Sequence, residues 1–595
     1  MRRSAFVVAL LAAFAVALTL RTLWLRSDPP VMDPVGIVWH DEGAWTHNAR
    51  NRALWGTWRT DEWNPVFLTP VFTALEYASF ESFGVGTWQA RVVPVASGLL
   101  ALGALVAGLL SLAGRRAALT GAILLGTSYE FVMWNRAALM ESTLTALLVC
   151  AWAAYAAGEK RQSWGLVAGL AATLAWFTKA SAAFFLAALT LDSLMTLARA
   201  HRNRPSARGD AREAAETVIV LPPMTPPQLA YNTLAALGLS VLIIGLLFVL
   251  PHWREYEFYN WQMSVTRKPG YSLKDFQDRI SWLPLVHGAF SRMVLVTVCG
   301  CAGLLAVLHR WRHRAAGERL LVLWIALGLL ELVVHDSGNE RRYVMLIPAL
   351  VALASMFLTR ASTGASVGHP VASSGGAAAR GLAVFVPVLA VGYLVAGTLM
   401  RPLFLADIES GMMRTVVRLS AAAAVVVALA AVRWRRTLAH ALETWQAPPA
   451  LLAAVVVITV GWNGAEYITW VRHRAQTNFE ASVALGRVLP AETLVQGKLA
   501  NGLSLENRIR PLFVGNGFGN YADRLRRDDA RYILTYDLPR IGYESSDGSG
   551  LIQGILDRYP RHRSVAAFVV DETPEPDRAV LIDKSPDSPQ PHARD

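Results

Sequence analysis

The sequence predicts a polytopic α-helical membrane protein of about thirteen transmembrane helices with a small C-terminal α/β domain outside the membrane. Three observations carry this prediction. First, apolar residues make up 54% of the 595 positions, charged residues only 17%, and mean hydropathy is +0.35. A water-soluble protein carries nearer a quarter charged residues, and a disordered chain needs low hydrophobicity with high charge, so both classes are excluded. Second, apolar runs of about 20 residues, the length that crosses a bilayer, recur along the chain. Third, past residue 474 that pattern gives way to short alternating helix-like and strand-like stretches. The net charge of +12 does not point to nucleic acid, because the basic residues lie mostly at the ends of apolar runs, which is a topology signal. Cys150, Cys299 and Cys301 all sit in apolar runs, so no disulfide framework is expected.

The expected spans are 5–25, 92–112, 117–134, 138–157, 162–178, 181–198, 230–250, 284–308, 319–335, 343–359, 381–400, 414–432 and 450–471. The run 66–83 carries Glu76, Ser79, Glu81 and Ser82 and reads as an amphipathic helix on the membrane surface. Charge decides this. With residue 1 inside, the inside loops hold 20 Lys and Arg and the short outside loops 11, as the positive-inside rule requires. A span at 66–83 would invert every later loop and reverse the bias. Arg2 and Arg3 ahead of an apolar run also suit a signal peptide, but continuation through TLWL favours an uncleaved anchor.

This map divides the chain into a transmembrane domain, 1–473, an extracytoplasmic α/β domain, 474–584, and a Pro- and charge-rich disordered tail, 585–595. Two further outside pieces, 26–91 and 251–283, interrupt the first part. The second of these is long and polar, with Arg254, Tyr256, Tyr259, Trp261, Arg267 and Lys268, and is expected to be a mobile gate. Residues 201–228 and 360–380 are expected to be flexible inside loops.

Candidate chemistry begins in the first outside loop, at WHDEGAWTHNARNRALWG, residues 39–56. Read as plain structure, Asp41 caps a helix and Glu42 favours its positive end. The surroundings favour chemistry: Trp39, Trp45, Trp55, Trp58 and Trp63 crowd the loop, and aromatic faces suit sugar rings or interfacial anchoring. A carboxylate at a membrane surface acts as a general base toward a hydroxyl. His40, Asp41, Glu42 and His47 give a minority metal reading, without a tight spacing such as H-E-x-x-H.

The remaining candidates also lie at turns between spans. In WNRAALMES, residues 134–142, Arg136 reads as a snorkelling boundary residue. Glu141 is harder to dismiss, because an acid at the start of an apolar helix is unfavourable unless paired or wet. Lys179 interrupts two apolar stretches in WFTKASAAFF; a lone turn lysine is ordinarily solvated, whereas a cation facing a lipid-side cavity suits a phosphate. Arg341, Arg342 and Tyr343 open a span in VVHDSGNERRYVMLIPAL, residues 333–350. Arg pairs bind phosphate oxygens in bidentate fashion, and interfacial anchoring is the plain alternative. Asp192 and Glu331, within or near spans, are either structural or cavity-lining.

In order along the chain, these positions resemble the C-type superfamily of polyprenyl-phosphate-sugar-dependent glycosyltransferases, nearest family 39: the protein O-mannosyltransferases and the lipid A aminoarabinose transferase. The resemblance rests on the acid pair Asp41-Glu42, the surface helix in NPVFLTPVFTALEYASFESFG, the opening Arg91-Val92-Val93-Pro94, and the turn holding Arg136 and Glu141, where the family usually has Asp. It continues with Phe177-Thr178-Lys179-Ala180, which lacks the family's Gly, and with Arg342-Tyr343 leading to Pro348. The motifs cover residues 5–360; beyond them the likeness is one of topology.

The resemblance implies the C-type glycosyltransferase fold and transfer of a sugar from a polyprenyl-phosphate donor to a hydroxyl of a protein, glycolipid or glycan. The reaction would invert the anomeric configuration, on the outer face of the cytoplasmic membrane. It implies Asp41 as base, with Glu42 and Glu141 as further catalytic carboxylates. Lys179, Arg341, Arg342, Tyr343 and Arg136 would meet the donor phosphate, and Trp39, Trp45 and His40 the sugar or acceptor. No cofactor is firmly expected, a divalent metal remaining the minority reading. The partners are the donor, membrane lipids and the acceptor, with no nucleic acid. A multi-span transporter or flippase is the alternative, although paired halves with broken spans are not visible. A non-catalytic envelope scaffold would leave the polar residues on one side unexplained.

Overall fold

The computed structural model describes residues 2–30, 38–59, 61, 63–202, 226–261, 271–283, 288–335, 340–360, 377–404, 410–513, 527–536, 556–571 and 577–585. The chain opens with α1 (Arg3–Thr22), followed by α2 (Val38–Trp55), a 3-10 turn at Pro65–Phe67 and α3 (Pro70–Phe83). Next come α4 (Thr87–Leu112), α5 (Gly114–Gly126), α6 (Tyr129–Trp134), α7 (Met140–Ala157), α8 (Trp164–Thr178), α9 (Ala183–Arg202) and α10 (Pro227–Ile244). Then follow α11 (Trp253–Trp261), α12 (Leu273–Trp282), α13 (Gly288–Arg292), α14 (Val294–His309) and α15 (Ala316–His335). A 3-10 segment, Glu340–Leu346, leads into α16 (Ile347–Thr359), and α17 (Ala377–Phe404), α18 (Ser410–Arg433), α19 (Arg435–Thr444) and α20 (Pro449–Arg472) complete the helical part.

Among the described residues, nine helices are long and apolar enough to cross a membrane, and Trp164–Thr178 and Val294–His309 are shorter apolar helices. The expected spans lie mainly on helices, with two interruptions. The run 117–134 breaks at Thr127–Ser128, where Ser128 accepts a hydrogen bond from the Phe131 N–H and caps α6. Of 284–308, residues 284–287 lie outside the described residues, and the rest is divided between α13 and α14.

The run 66–83 forms a helix of 14 residues, about 21 Å long and short of a bilayer's ~30 Å core. Phe72, Thr73, Glu76, Ser79 and Phe80 are buried against protein, while Leu75, Glu81, Ser82 and Phe83 are exposed. The piece 251–283 is not a structureless loop: it holds α11 and α12, with Tyr259 buried against Trp63 and Phe67. Arg267, Lys268 and most of the loops 201–228 and 360–380 lie outside the described residues.

Helix contacts use small residues, as helix association in lipid requires. A Cβ on Gly165 would come within 2.7 Å of the Leu229 carbonyl oxygen, and one on Gly169 within 2.5 Å of that of Thr233. This Gly-x-x-x-Gly face therefore lets α8 meet α10 backbone to backbone. Asp192 is buried and fully paired: Arg319 donates to it at 2.7 and 2.9 Å and the Tyr155 hydroxyl at 3.0 Å. These bonds staple α7, α9 and α15 together, which is the structural alternative for Asp192. Glu331 pairs with His335 one turn on.

The C-terminal region begins with α21 (Thr477–Val488) and contains a short helix α22 (Lys498–Gly502) and five strands: β1 (Leu494–Gln496), β2 (Arg510–Leu512), β3 (Tyr532–Tyr536), β4 (Arg563–Asp571) and β5 (Asp577–Asp583). The strand order is β2-β1-β3-β5-β4. β1 runs parallel to β2 and β3, and β5 pairs antiparallel with β3 and β4. Ala481 and Leu485 of α21 share a core with Phe568, Val570, Ala579 and Leu581. Of the stretch ETLVQGKL, residues 492–499, only Leu494–Gln496 is extended. Gly497, at φ +125° and with the Leu534 carbonyl where a Cβ would sit, turns the chain into α22. The tail beyond Ser585 lies outside the described residues.

Candidate functional site

Four segments bring charged residues together at the end of the bundle that meets the C-terminal region. Asp41 stands in the first turn of α2, Glu141 in the first turn of α7, Lys179 at the end of α8, and Arg341 in the 3-10 segment before α16. Lys179 Nζ lies 2.6 Å from Glu141 Oε1, Arg341 Nε 3.3 Å from the same oxygen, and Arg341 Nη1 2.5 Å from Asp41 Oδ2. The result is one continuous chain of alternating charge. Its two carboxylates differ in burial: the Glu141 side chain is 3% exposed and that of Asp41 23%. Glu141 Oε2 has no hydrogen-bond partner among the described residues.

The local sequence explains these placements. Leu139 is extended and caps α7 without a side-chain bond, so Glu141 enters the helix as its only first-turn acid, favoured by the positive end of the helix. Lys179 breaks α8 by turning extended, with φ −159° and ψ 128°. Its ammonium is pulled down to about 8, chiefly by burial; Glu141 opposes this, and the guanidiniums of Arg342 and Arg341 add to it. Arg342 is therefore electrostatically part of the cluster. Among the described residues, Asp41 and Glu141 thus lie beside Lys179 and Arg341, with Arg342 close enough to act on Lys179.

Other expected site residues are placed elsewhere. Glu42 is 2% exposed and holds Arg91 in a two-pronged pair at 2.8 and 2.7 Å, while also accepting the Ala138 N–H at 2.7 Å. That makes it a structural anchor instead of a second reacting carboxylate. Arg136, expected at the phosphate, is 0% exposed. It donates to the carbonyls of Leu20, Arg21 and Trp24 and stacks on Trp470, satisfying the orphan carbonyls at the end of α1. Trp45 is 8% exposed and packs edge-on against Trp63, so its face is not open to a sugar. Tyr343 is 1% exposed against Phe290 and positions the 3-10 segment. For Trp39 and His40 only the helical backbone is described; their side chains lie outside the described residues.

Among the described residues, which leave out the His40 side chain, the minority metal set does not assemble. Glu42 is committed to Arg91, and His47 is buried between Asp61 and Asn501.

Two buried features escaped the sequence reading. The Asp61–His47–Asn501 chain joins residues far apart in sequence, and no local pattern announces it. Glu76 is 0% exposed, and neither carboxyl oxygen has a hydrogen-bond partner among the described residues. Burial, with Glu42 nearby, holds its carboxyl well above the usual range.

Residues 68–208, which include Glu141 and Lys179, match the family described as Dolichyl-phosphate-mannose-protein mannosyltransferase. No curated protein matches the sequence. Among solved structures the chain is similar to ArnT from Cupriavidus metallidurans in the apo state, at 19% identity and a TM-score of 0.52, covering 98% of this chain and 97% of that one. ArnT bound to undecaprenyl phosphate matches at 17% identity and a TM-score of 0.50, with 99% of each chain covered. The Archaeoglobus fulgidus oligosaccharyltransferase in the apo form shares 14% identity, with a TM-score of 0.43 over 93% of this chain and 71% of that one. The likeness to ArnT is one of fold, and it agrees with the C-type glycosyltransferase architecture expected from the sequence.

Proposed function

We propose that this protein is a membrane glycosyltransferase that moves a sugar from a polyprenyl-phosphate carrier to an acceptor hydroxyl at the outer face of the cytoplasmic membrane, with residues 474–584 on that side. The observation that carries the reading is the charge chain Lys179–Glu141–Arg341–Asp41. A base and a set of phosphate-directed cations stand side by side, as displacement of a phosphate by a hydroxyl demands. The fold shared with ArnT, one of whose structures is bound to undecaprenyl phosphate, supports a lipid-phosphate donor.

In this reading the donor phosphate meets Lys179, Arg341 and Arg342 and competes with the carboxylates for them. Glu141 remains beneath Lys179 and orients it. As Arg341 turns to the phosphate, Asp41 loses its counter-ion and becomes the stronger base. The acceptor oxygen attacks the anomeric carbon, its proton passes to the Asp41 carboxylate, and the bond from that carbon to the phosphate oxygen breaks. The bond's electron pair leaves with the polyprenyl phosphate, whose charge the cations stabilise. One displacement inverts the anomeric centre.

The test uses purified full-length protein in lipid nanodiscs with a panel of undecaprenyl-phosphate pentoses and hexoses and an envelope extract as acceptor. Release of undecaprenyl phosphate by the wild type with at least one donor, and its loss in Asp41→Asn, is the expected result. Movement of donor across the bilayer without cleavage would replace the enzyme reading with transport.

A further inference from the structure

Helix α2 is held by two stripes of residues, and one of them belongs to the C-terminal region. Glu42, Thr46 and Ala49 share one face, anchored through Glu42 to Arg91 and the Ala138 N–H. Gly43, His47 and Arg50, spaced i, i+4 and i+7, form the neighbouring face, and each makes a contact with residues 501–509. A Cβ on Gly43 would lie 1.8 Å from the Asn501 carbonyl oxygen and 2.5 Å from its carbon. The two backbones touch at a spot only glycine fits, two residues after Asp41.

One turn along, Asn501 Nδ2 and His47 Nδ1 are hydrogen-bonded at 3.0 Å, and His47 Nε2 and Asp61 Oδ1 at 2.8 Å. Asp61 in turn accepts the N–H groups of Trp63 and Phe513. One turn further, Arg50 donates at 3.0 Å to each of the carbonyls of Ser504, Asn507 and Ile509. It is fully buried, and burial pulls its guanidinium down to about 9. A second tie joins Glu506 to the Thr87 N–H at 2.6 Å, at the positive end of α4.

We propose that the C-terminal region is a working part of the active site: residues 498–513 set the position of the first turn of α2, and thereby of Asp41 against Arg341, with Gly43, His47 and Arg50 as positioning residues. This rests on the reading of Asp41 as the base. A merely attached domain needs surface contacts. This one fills a glycine notch beside the reacting residue and supplies every acceptor shown for a buried guanidinium on the same helix. Small displacements of a reacting group lower rate while leaving distant binding contacts intact.

The experiment compares Gly43→Ala, Arg50→Lys and Arg50→Met with wild type and Asp41→Asn. Each is measured for undecaprenyl phosphate affinity and for kcat and KM with a donor that the wild type turns over. Gly43→Ala is expected to lower kcat roughly ten- to a hundred-fold while donor KM and undecaprenyl phosphate affinity stay within about threefold. Arg50→Met should behave likewise and Arg50→Lys should recover most of the rate, because an ammonium still reaches carbonyls. Should Gly43→Ala fail to fold, Asn501→Ala removes the His47 bond and is expected to show the same split. Wild-type kcat in Gly43→Ala, or an equal loss of kcat and donor affinity, overturns the proposal. Full turnover by Asp41→Asn instead overturns the base assignment itself, so the two failures are distinguishable.

Discussion

Arg341 donates from Nη1 to Asp41 Oδ2 at 2.5 Å across 300 positions of sequence, and its Nε lies 3.3 Å from Glu141. One guanidinium thus bridges a half-exposed carboxylate and a buried one. Any anion that draws Arg341 away weakens both contacts at once. In the proposed reaction Asp41 and the cations hold one another in check until the donor phosphate arrives.

Asp41→Asn is therefore expected to do two things. Turnover should fall by ~10²–10⁴, the usual loss on removing a general base. Undecaprenyl phosphate should bind at least as tightly as to wild type, because a competitor for Arg341 has gone. Titration of the purified variant with that lipid checks the second point, and weaker binding would show that Asp41 helps to hold the donor.

Lys179→Ala and Arg342→Ala are each expected to slow transfer roughly ten- to a hundred-fold, since one hydrogen bond to a charged group contributes about 1.5–3 kcal/mol. Arg136→Ala should leave undecaprenyl phosphate affinity unchanged and lower thermal stability, because its donors serve the end of α1. Running the assays with and without chelator tells protein cations from a metal: normal turnover of both cation variants, with loss only on chelation, rejects the assignment.

The pH dependence follows from Lys179. With its ammonium at about 8 in the free protein, the group is charged at pH 7 and loses its proton as pH rises through 8. A bound phosphate raises that value, so binding above pH 8 takes up a proton. Affinity for undecaprenyl phosphate should fall by up to about tenfold per pH unit between the free and bound values. Lys179→Arg should flatten the profile in that range.

Glu42 and Arg91 form a buried pair, and removing one partner strands the other. Arg91→Met is expected to destabilise the protein by ~3–5 kcal/mol. Thermal unfolding in detergent should show the loss, with Glu42→Gln a milder case because it keeps a carbonyl acceptor. A catalytic role for Glu42 would instead appear as lost kcat at unchanged stability.

The Glu76 carboxyl is shifted upward, where a carboxylate paired with a cation is shifted downward. Its folded value lies above its unfolded one, so folding takes up a proton between the two. Stability is fully present below the ordinary glutamate value and is lost as pH rises through the folded value, by up to about 1.4 kcal/mol per pH unit. Glu76→Gln should remove that slope, measured as melting temperature against pH. A slope that persists in the variant assigns it to another group.

Much of the site was legible because topology is a parity rule. Asp41, Glu141, Lys179 and Arg341 each interrupt apolar runs at turns that alternation of spans places on the same side, and they gather at one end of the bundle. What parity does not supply is helix register. Asp41 and Glu42 are adjacent, yet neighbouring helical residues diverge by about 100°, so one meets Arg341 and the other Arg91. The placement of Arg136 was hidden for a related reason: two of its acceptors lie 115 and 116 residues upstream, and a positive residue at a turn looks the same whether it serves a ligand or a helix end. Trp45 was one of five tryptophans whose number suggested sugar stacking, and packing against Trp63 accounts for it. β2 is three residues long and contains Pro511, so neither alternation nor propensity marks it in the sequence.

The clasp on α2 also has a consequence in time. The carbonyls that receive Arg50 lie 454 to 459 positions downstream. At ribosomal speeds of ~5–20 residues per second they emerge roughly 20–90 s after it. Throughout that interval the nascent helix carries a guanidinium and an imidazole whose burial sites do not yet exist. It must wait in water or in the keeping of a chaperone. The segment bearing Asp41 is thus translated well before the residues that complete its packing. A chain cut short before residue 500 would present quality-control proteases with an unfinished helix.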